Sequence, residues 1–436
     1  DGAGVRIAIF DAGFKGVDYG DAFEHLLNDG RILRTFDFVK KKADVYGYHQ
    51  HGTMVLSNIA GIVEDSIRLG HATGAEFLLA RTEKILSDGI RDEKSWLAAV
   101  EWADKHGADI INSSLGYTSR RYFRGDMDGK TPLVTRAANM AAAKGILVVN
   151  SAGNEGDEQW RNIGAPSDAD SVLTVGAINP WTNMHTSWSS FGPSADFRRK
   201  PNVTAVGHTV VYGKNGIGAA NGTSFSSPLT AGFAACVLQS DSTLTAMELF
   251  QRVEQAGDLY PYYDYAHGYG VPQADKAINA EGSPTDVTFD VEEDGDRISI
   301  IIRDDFFVPA YFKNHSHYNL NTHEDMDGAY DSLNLGYYEN VHLQDDYLSV
   351  MASGAESRTF PYFFWHLENG GGWLERYMVL TVEKPNVMTF SKSDLRMQLE
   401  TIQSNYGYAL PDGIEDSGGT PKVRFHYRGY TYTLEL

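Results

Sequence analysis

A carboxylate, an imidazole, an amide and a hydroxyl stand out in this chain because each sits where a strand or helix is expected to begin or end. Asp11 follows the apolar segment Val5-Arg6-Ile7-Ala8-Ile9-Phe10 and precedes Ala12-Gly13. Its carboxylate therefore stands at a strand's carboxyl end, where glycine lets the chain turn sharply. His51 lies in His49-Gln50-His51-Gly52-Thr53, at the head of a helix-compatible run over residues 54–61. Asn154 closes Ser151-Ala152-Gly153-Asn154. Ser224 stands in Asn221-Gly222-Thr223-Ser224-Phe225-Ser226-Ser227-Pro228, ahead of a small and apolar run over residues 229–238. A serine opening a buried helix exposes its hydroxyl where a backbone can approach, and a hydroxyl attacks an amide carbonyl only when a base removes its proton. Taken singly, each residue also has a plainer reading. Asp11 suits a polar strand cap, His51 a structural histidine, Asn154 a turn former and Ser224 a helix N-cap.

The elements that must hold these groups follow from periodicity. Short apolar runs predict strands over residues 5–10, 76–80, 109–113, 146–150 and 171–175. Between them, Trp96, Leu97, Val100 and Ala103 give residues 92–106 one apolar helical face. Residues 132–144 open on a proline and end before Gly145, another helix pattern. Alternation of this kind predicts an α/β fold, a mostly parallel sheet flanked by helices, with sites at the carboxyl ends of strands. Past Ala280-Glu281-Gly282-Ser283-Pro284 the pattern changes to alternating runs punctuated by Gly370-Gly371-Gly372 and Gly418-Gly419. These predict antiparallel strands. The expected division is a domain of residues 1–281 and a β-rich domain, a sandwich in expectation, of residues 282–436.

Composition narrows the function. The 436 residues include 37 Lys and Arg against 58 Asp and Glu, a formal net charge of −21. That balance excludes a nucleic-acid binder relying on phosphate neutralisation. No run reaches about 18 consecutive apolar residues, so no membrane span is expected. Cys236 is the one cysteine, which excludes an internal disulfide and a multi-cysteine metal site. Its apolar neighbours predict a buried thiol. The start at Asp1, with no leader-like segment, reads as a trimmed or proteolytically matured chain.

The order Asp, His, Asn, Ser, each with its own neighbours, resembles the subtilisin-like serine protease family. Gly222-Thr223-Ser224-Phe225-Ser226-Ser227-Pro228 matches its serine signature, and His51-Gly52-Thr53 supports it. Ser113-Ser114-Leu115-Gly116 looks like its substrate-binding strand, and Gly268-Tyr269-Gly270 with Ala274-Asp275-Lys276-Ala277 resembles the close of its catalytic domain. Ala12 departs from the Ser or Thr usual in the family between Asp and Gly. The resemblance covers residues 5–281. It implies that Ser224 is the nucleophile, His51 the general base and Asp11 its orienting carboxylate, with Asn154 donating to the oxyanion. It further implies that Ser114–Gly116 and Ser151-Ala152-Gly153 wall the pocket for the residue preceding the scissile bond, with Gly164 at its base. A glycine there favours a large apolar side chain, whereas Asp157 and Glu158 nearby favour a basic one.

The same resemblance implies protein or peptide substrates, an inhibitory pro-segment before maturation, and a secreted, periplasmic or cell-surface location. No cofactor is required by the chemistry. Calcium is a possible structural ion, with Asp126 and Asp128 in Asp126-Met127-Asp128-Gly129-Lys130-Thr131 as candidates against a capped turn before the helix. A second acidic loop, His323-Glu324-Asp325-Met326-Asp327-Gly328, divides between a divalent-ion site and a solvated surface. The aromatic run Phe360-Pro361-Tyr362-Phe363-Phe364-Trp365 divides between a binding platform and a sandwich core. The function of another class that fits is a catalytically degenerate scaffold binding through its C-terminal domain.

Overall fold

The computed structural model describes residues 1–64, 67–84, 89–180, 185–260, 263, 265–278 and 286–303, and beyond these short segments between 318 and 435. Contacts divide the chain into Asp1–Ser283 and Pro284–Leu436. The first unit is built on a seven-stranded sheet. Its strands are β1 (Arg6–Asp11), β2 (Ile32–Asp37), β3 (Glu76–Arg81), β4 (Ile110–Ser113), β5 (Leu147–Ser151), β6 (Val172–Ile178) and β7 (Val203–Val206). They lie in the order β2-β3-β1-β4-β5-β6-β7, and every neighbouring pair is parallel. The chain moves to one side of β1 for β2 and β3, then to the other for β4 onward. That reversal opens a crevice at the carboxyl ends of β1 and β4, the usual place for a site in such sheets.

Both faces of the sheet are covered. In β1, Ile7 and Ile9 join a core with Val55, Leu56 and Ile59 of α1 (His51–Ala60) and Ala231 and Ala234 of α4 (Thr223–Ser240). Ala8 and Phe10 join the opposite core with Trp96 and Ala99 of α2 (Ile90–Lys105) and Val134 and Ala137 of α3 (Leu133–Ala143). Side chains alternate across a strand, so Asp11 shares the face of Ile7 and Ile9. Parity alone thus turns its carboxylate toward α1 and α4, the helices that begin with His51 and next to Ser224.

The periodic reading found the buried strands and both surface helices to within three residues. It missed β2 and β7. β2 is an edge strand with only Asp37 buried, so its alternation is weak, and β7 is four residues long. Cys236 is corrected: its thiol is partly exposed and donates to the His71 carbonyl oxygen at 3.3 Å. The apolar run around it belongs to a helix whose partners do not cover that side.

In Pro284–Leu436 the described strands pair antiparallel, in one short pair of Tyr318–Asn319 with Glu324–Asp325 and in two four-stranded sheets. One orders Phe289–Asp294, Arg297–Ile302, Val387–Ser391 and Thr381–Lys384, the other Gly372–Arg376, Phe364–Asn369, Lys422–Tyr427 and Tyr430–Glu435. The side chains of residues 323–328 and 360–365, and the expected sandwich they would complete, lie outside the described residues.

Candidate active site

Asp11 ends β1 fully buried, and His51 opens α1. The imidazole Nδ1 meets both Asp11 oxygens at 2.9 Å, and Asp11 Oδ1 also accepts the Ala12 N–H at 2.7 Å. An ionised carboxylate only accepts, so Nδ1 carries the proton and Nε2 is left with a lone pair. Burial works to lower the His51 pKa, but the charge of Asp11 and its hydrogen bond more than reverse this, and the net direction is upward. The imidazole keeps about a quarter of its surface open to solvent (23%).

Gly52 allows this approach. A Cβ there would lie 2.7 Å from the Gly13 carbonyl oxygen and 2.9 Å from Asp11 Cβ. Its N–H instead donates to Gly13 O at 3.0 Å, and Thr53 Oγ1 donates to Lys15 O at 2.9 Å. Replacing Gly52 by alanine forces α1 off the end of β1 and stretches the Asp11–His51 contact. We expect kcat to drop about 10²-fold, as for misplacements of order 1 Å, with little change in KM. Parental kcat in a folded Gly52→Ala protein would contradict this placement.

Ser224 lies in the first turn of α4 and is 9% exposed. Gly222 before it takes φ +145°, which bends β9 (Gly216–Asn221), the second strand of the hairpin begun by β8 (His208–Gly213), into the helix. The helix carries Pro228 at its sixth residue. Proline has no N–H, so the Ser224 carbonyl four residues earlier loses its helical donor. Ser114 Oγ replaces that donor at 2.8 Å. Ser114 itself faces Asn112, whose Oδ1 accepts from Ser227 Oγ at 2.9 Å. The sequence elements Ser114 and Ser227-Pro228 are thus two halves of one clamp on the Ser224 turn. The Ser224 hydroxyl rests against the Ser114 carbonyl oxygen at 3.4 Å and not on His51.

Asn154 follows β5. Its Oδ1 accepts from the Thr223 N–H at 2.9 Å and from Thr223 Oγ1 at 3.0 Å. That fixes the amide's orientation and leaves Nδ2 as a donor with no partner among the described residues, near Gly222. Asp11, His51, Asn154 and Ser224 are therefore brought to one end of the sheet by β1, α1, β5 and α4.

Sequence-identified pocket residues fall in two groups. Ser113 accepts from Trp96 Nε1 at 3.1 Å and Leu115 packs in the α2–α3 core, so their side chains face away from the crevice. Gly116 is exposed, and the space where its Cβ would stand is open. Ser151 and Ala152 are buried, while Gly153 is half-buried beside Thr223. Gly164 packs under Thr118, next to the bridge between Tyr117 and Ala165. Asp157 and Glu158 are exposed. Glu155 was not singled out from the sequence. It folds back to accept from Ser190 Oγ at 2.9 Å, and burial pushes its carboxyl upward. Its place directly after Asn154 was the only signal.

The Asp126–Asp128 loop is a capped turn. Asp126 Oδ2 accepts from the Phe123 N–H, and Asp128 accepts from the N–H groups of Lys130 and Thr131 and from Thr131 Oγ1. Partial burial raises the Asp128 pKa, but those donors outweigh it and hold the carboxyl below the usual range. Among the described residues no group of three or more His, Cys, Asp or Glu side chains is arranged for a metal ion. These donors engage both Asp128 oxygens and Asp126 Oδ2 within the turn itself.

Compared with known proteins, the model of the subtilase family, peptidase S8, matches residues 2–270. The chain belongs to the subtilase family. It is accordingly a serine endopeptidase, a hydrolase. This subtilase is 32% identical over 268 residues to subtilisin DY of Bacillus licheniformis, covering 60% of this chain and 88% of that protein. It is 27% identical over 311 residues to serine protease AprX of Bacillus subtilis (strain 168), covering 65% and 66%. With subtilisin NAT of Bacillus subtilis subsp. natto the figures are 31% over 273 residues, covering 62% and 64%. It thus spans most of the first relative and just under two thirds of the other two. Among solved structures it resembles MycP1 with the N-terminal propeptide removed, with TM-score 0.51 and 25% identity over 64% of this chain and 92% of that one. MycP3 from the type VII (ESX-3) secretion system shares the fold at TM-score 0.52 and 21% identity, covering 64% and 83%. No described helix of this subtilase is long and apolar enough to cross a membrane.

Proposed function

We propose that this endopeptidase cleaves proteins through an acyl-enzyme made by Ser224, with His51 as base, Asp11 as its orienting carboxylate and Asn154 in the oxyanion hole. The observation that carries the reading is the Asp11–His51 contact, because it commits Nδ1 and leaves Nε2 to take a proton. Ser224 Oγ turns from the Ser114 carbonyl toward Nε2 when substrate enters; its resting contact of 3.4 Å is long and cheap to give up. The oxygen attacks the scissile carbonyl, and its proton passes to His51. The imidazolium, held by Asp11, then gives that proton to the leaving amine. Water repeats the sequence on the acyl-enzyme and releases Ser224. The negative oxygen of each tetrahedral intermediate is met by Asn154 Nδ2 and the Ser224 N–H.

Substrate lies along Ser114–Gly116 as an added strand, held by backbone groups because the Ser113 and Leu115 side chains are turned inward. Ser151-Ala152-Gly153 and Gly164 border the pocket for the residue preceding the cleaved bond. The glycine at 164 leaves that pocket depth, which suits a large apolar side chain. A pro-segment that blocks this cleft before maturation, and a secreted, periplasmic or cell-surface location, complete the reading; both are supported by family membership.

The test is the pH dependence of inactivation by a fluorophosphonate, which needs a neutral His51. The reaction and kcat/KM should fall together on acidification, with a midpoint above 6.5, the ordinary histidine value, because Asp11 raises the pKa. A rate flat from about pH 5 to 8 would remove His51 from the role of base.

A further inference from the structure

Behind Asp11 lies a buried cation that the reaction does not touch. The parallel register sets Arg81 of β3 beside Asp11 of β1 and Asp37 of β2. Its side chain is 6% exposed. Nε donates to the Ala12 carbonyl oxygen at 3.0 Å, and Nη1 donates to Asp37 Oδ2 at 2.9 Å. The guanidinium stacks on the Tyr48 ring, its carbon 3.7 Å from the centroid. Asp37 Oδ1 accepts the N–H groups of Val39 and Lys40, so the carboxylate is fully engaged. One planar group therefore touches the peptide that follows Asp11, the end of β2 and the loop that leads into His51.

We propose that Arg81 is a positioning residue for catalysis, fixing the Ala12 peptide and the Tyr48 loop so that Asp11 and His51 keep their contact. Two arguments favour this over a purely structural ion pair. A buried pair gains little stability over apolar side chains of similar size, which leaves the fixing of geometry as the role proposed for this one. The contacts also use what is particular to arginine, a rigid fork spanning two acceptors and a flat face for an aromatic ring, which lysine cannot reproduce. Ala12 matters here as well. Where family members carry Ser or Thr, this chain has no side-chain hydroxyl to anchor the turn, and Arg81 holds its carbonyl instead.

The inference rests on the triad reading, and the test separates the two. Charged and titratable neighbours are Asp37, Tyr48 and Lys42 around Arg81, and Asp11 and His49 around His51, with Lys214 beyond His49. Two variants are compared with the parent. Arg81→Lys keeps the buried charge paired and is expected to fold. Arg81→Met combined with Asp37→Asn removes both charges, so any shift in the His51 titration reports geometry and not a lost field. In both, kcat should fall about 10- to 100-fold with KM within about twofold. In the neutral pair the acid limb of kcat/KM should also move to lower pH as His51 loosens from Asp11. Folded variants with parental kcat and acid limb, or a rise in KM alone, would overturn the proposal. A parent whose Ser224 does not react with a fluorophosphonate would instead overturn the triad reading.

Discussion

Ser224→Ala should lower kcat for peptide hydrolysis by about 10⁶-fold, a magnitude carried over from subtilisin. The structure indicates why this loss will be chemical and not a failure to fold. The clamp on the turn uses the Ser224 carbonyl, which Ser114 Oγ continues to hold in the variant. Thr223 still anchors Asn154, and Gly222 still makes the bend. Among the described residues the hydroxyl makes a single long contact of 3.4 Å, so stability should change by no more than about 1 kcal/mol. The check is steady-state hydrolysis of a peptide, mass spectrometry after fluorophosphonate treatment and a thermal melt, parent against variant. Hydrolysis within tenfold of the parent, or adduct formation by the variant, would move the nucleophile elsewhere. An unlabelled, inactive parent would favour the degenerate scaffold.

How much of this was legible beforehand depended on whether a signal was local. Asp11, His51 and Ser224 each carry their context in adjacent residues, a strand before, a glycine after, a helix ahead. Helix and strand periods found most of the sheet because both its faces are buried and its strands are strongly apolar. Long-range register was not legible. Nothing near Arg81 in the chain says that it will lie beside Asp11, because that follows from β3 pairing with β1. The clamp between Ser114 and Ser224 was hidden for the same reason, although Pro228, which creates the vacancy, was in plain view. Ser113 and Leu115 show a further limit. A motif identifies a strand near the cleft, but alternation decides which of its side chains face inward. At Asp126 and Asp128, the sequence favoured a capped turn over calcium but could not show which N–H groups would do the capping.

Asn154→Ala should lower kcat by about 10²–10³-fold, roughly 2.7–4 kcal/mol of transition-state stabilisation, with KM almost unchanged. The split between the two constants is the informative part. A donor aimed at an oxygen that becomes negative only during attack contributes little to the ground-state complex and much to the transition state. That requires the amide to be oriented before substrate arrives, and Thr223 does this by giving two hydrogens to Oδ1. Thr223→Val keeps the backbone donor and loses the hydroxyl, so it should fall between parent and Asn154→Ala. Asn154→Asp should be worse than alanine, since it sets a carboxylate against the oxyanion. Asn154 is exposed and its side chain makes only these two anchoring contacts among the described residues, so melting temperatures should barely separate the two Asn154 variants from the parent. If Asn154→Ala instead raised KM at constant kcat, the amide would be holding substrate in its ground state, and the oxyanion would have to be met by the Ser224 N–H without it.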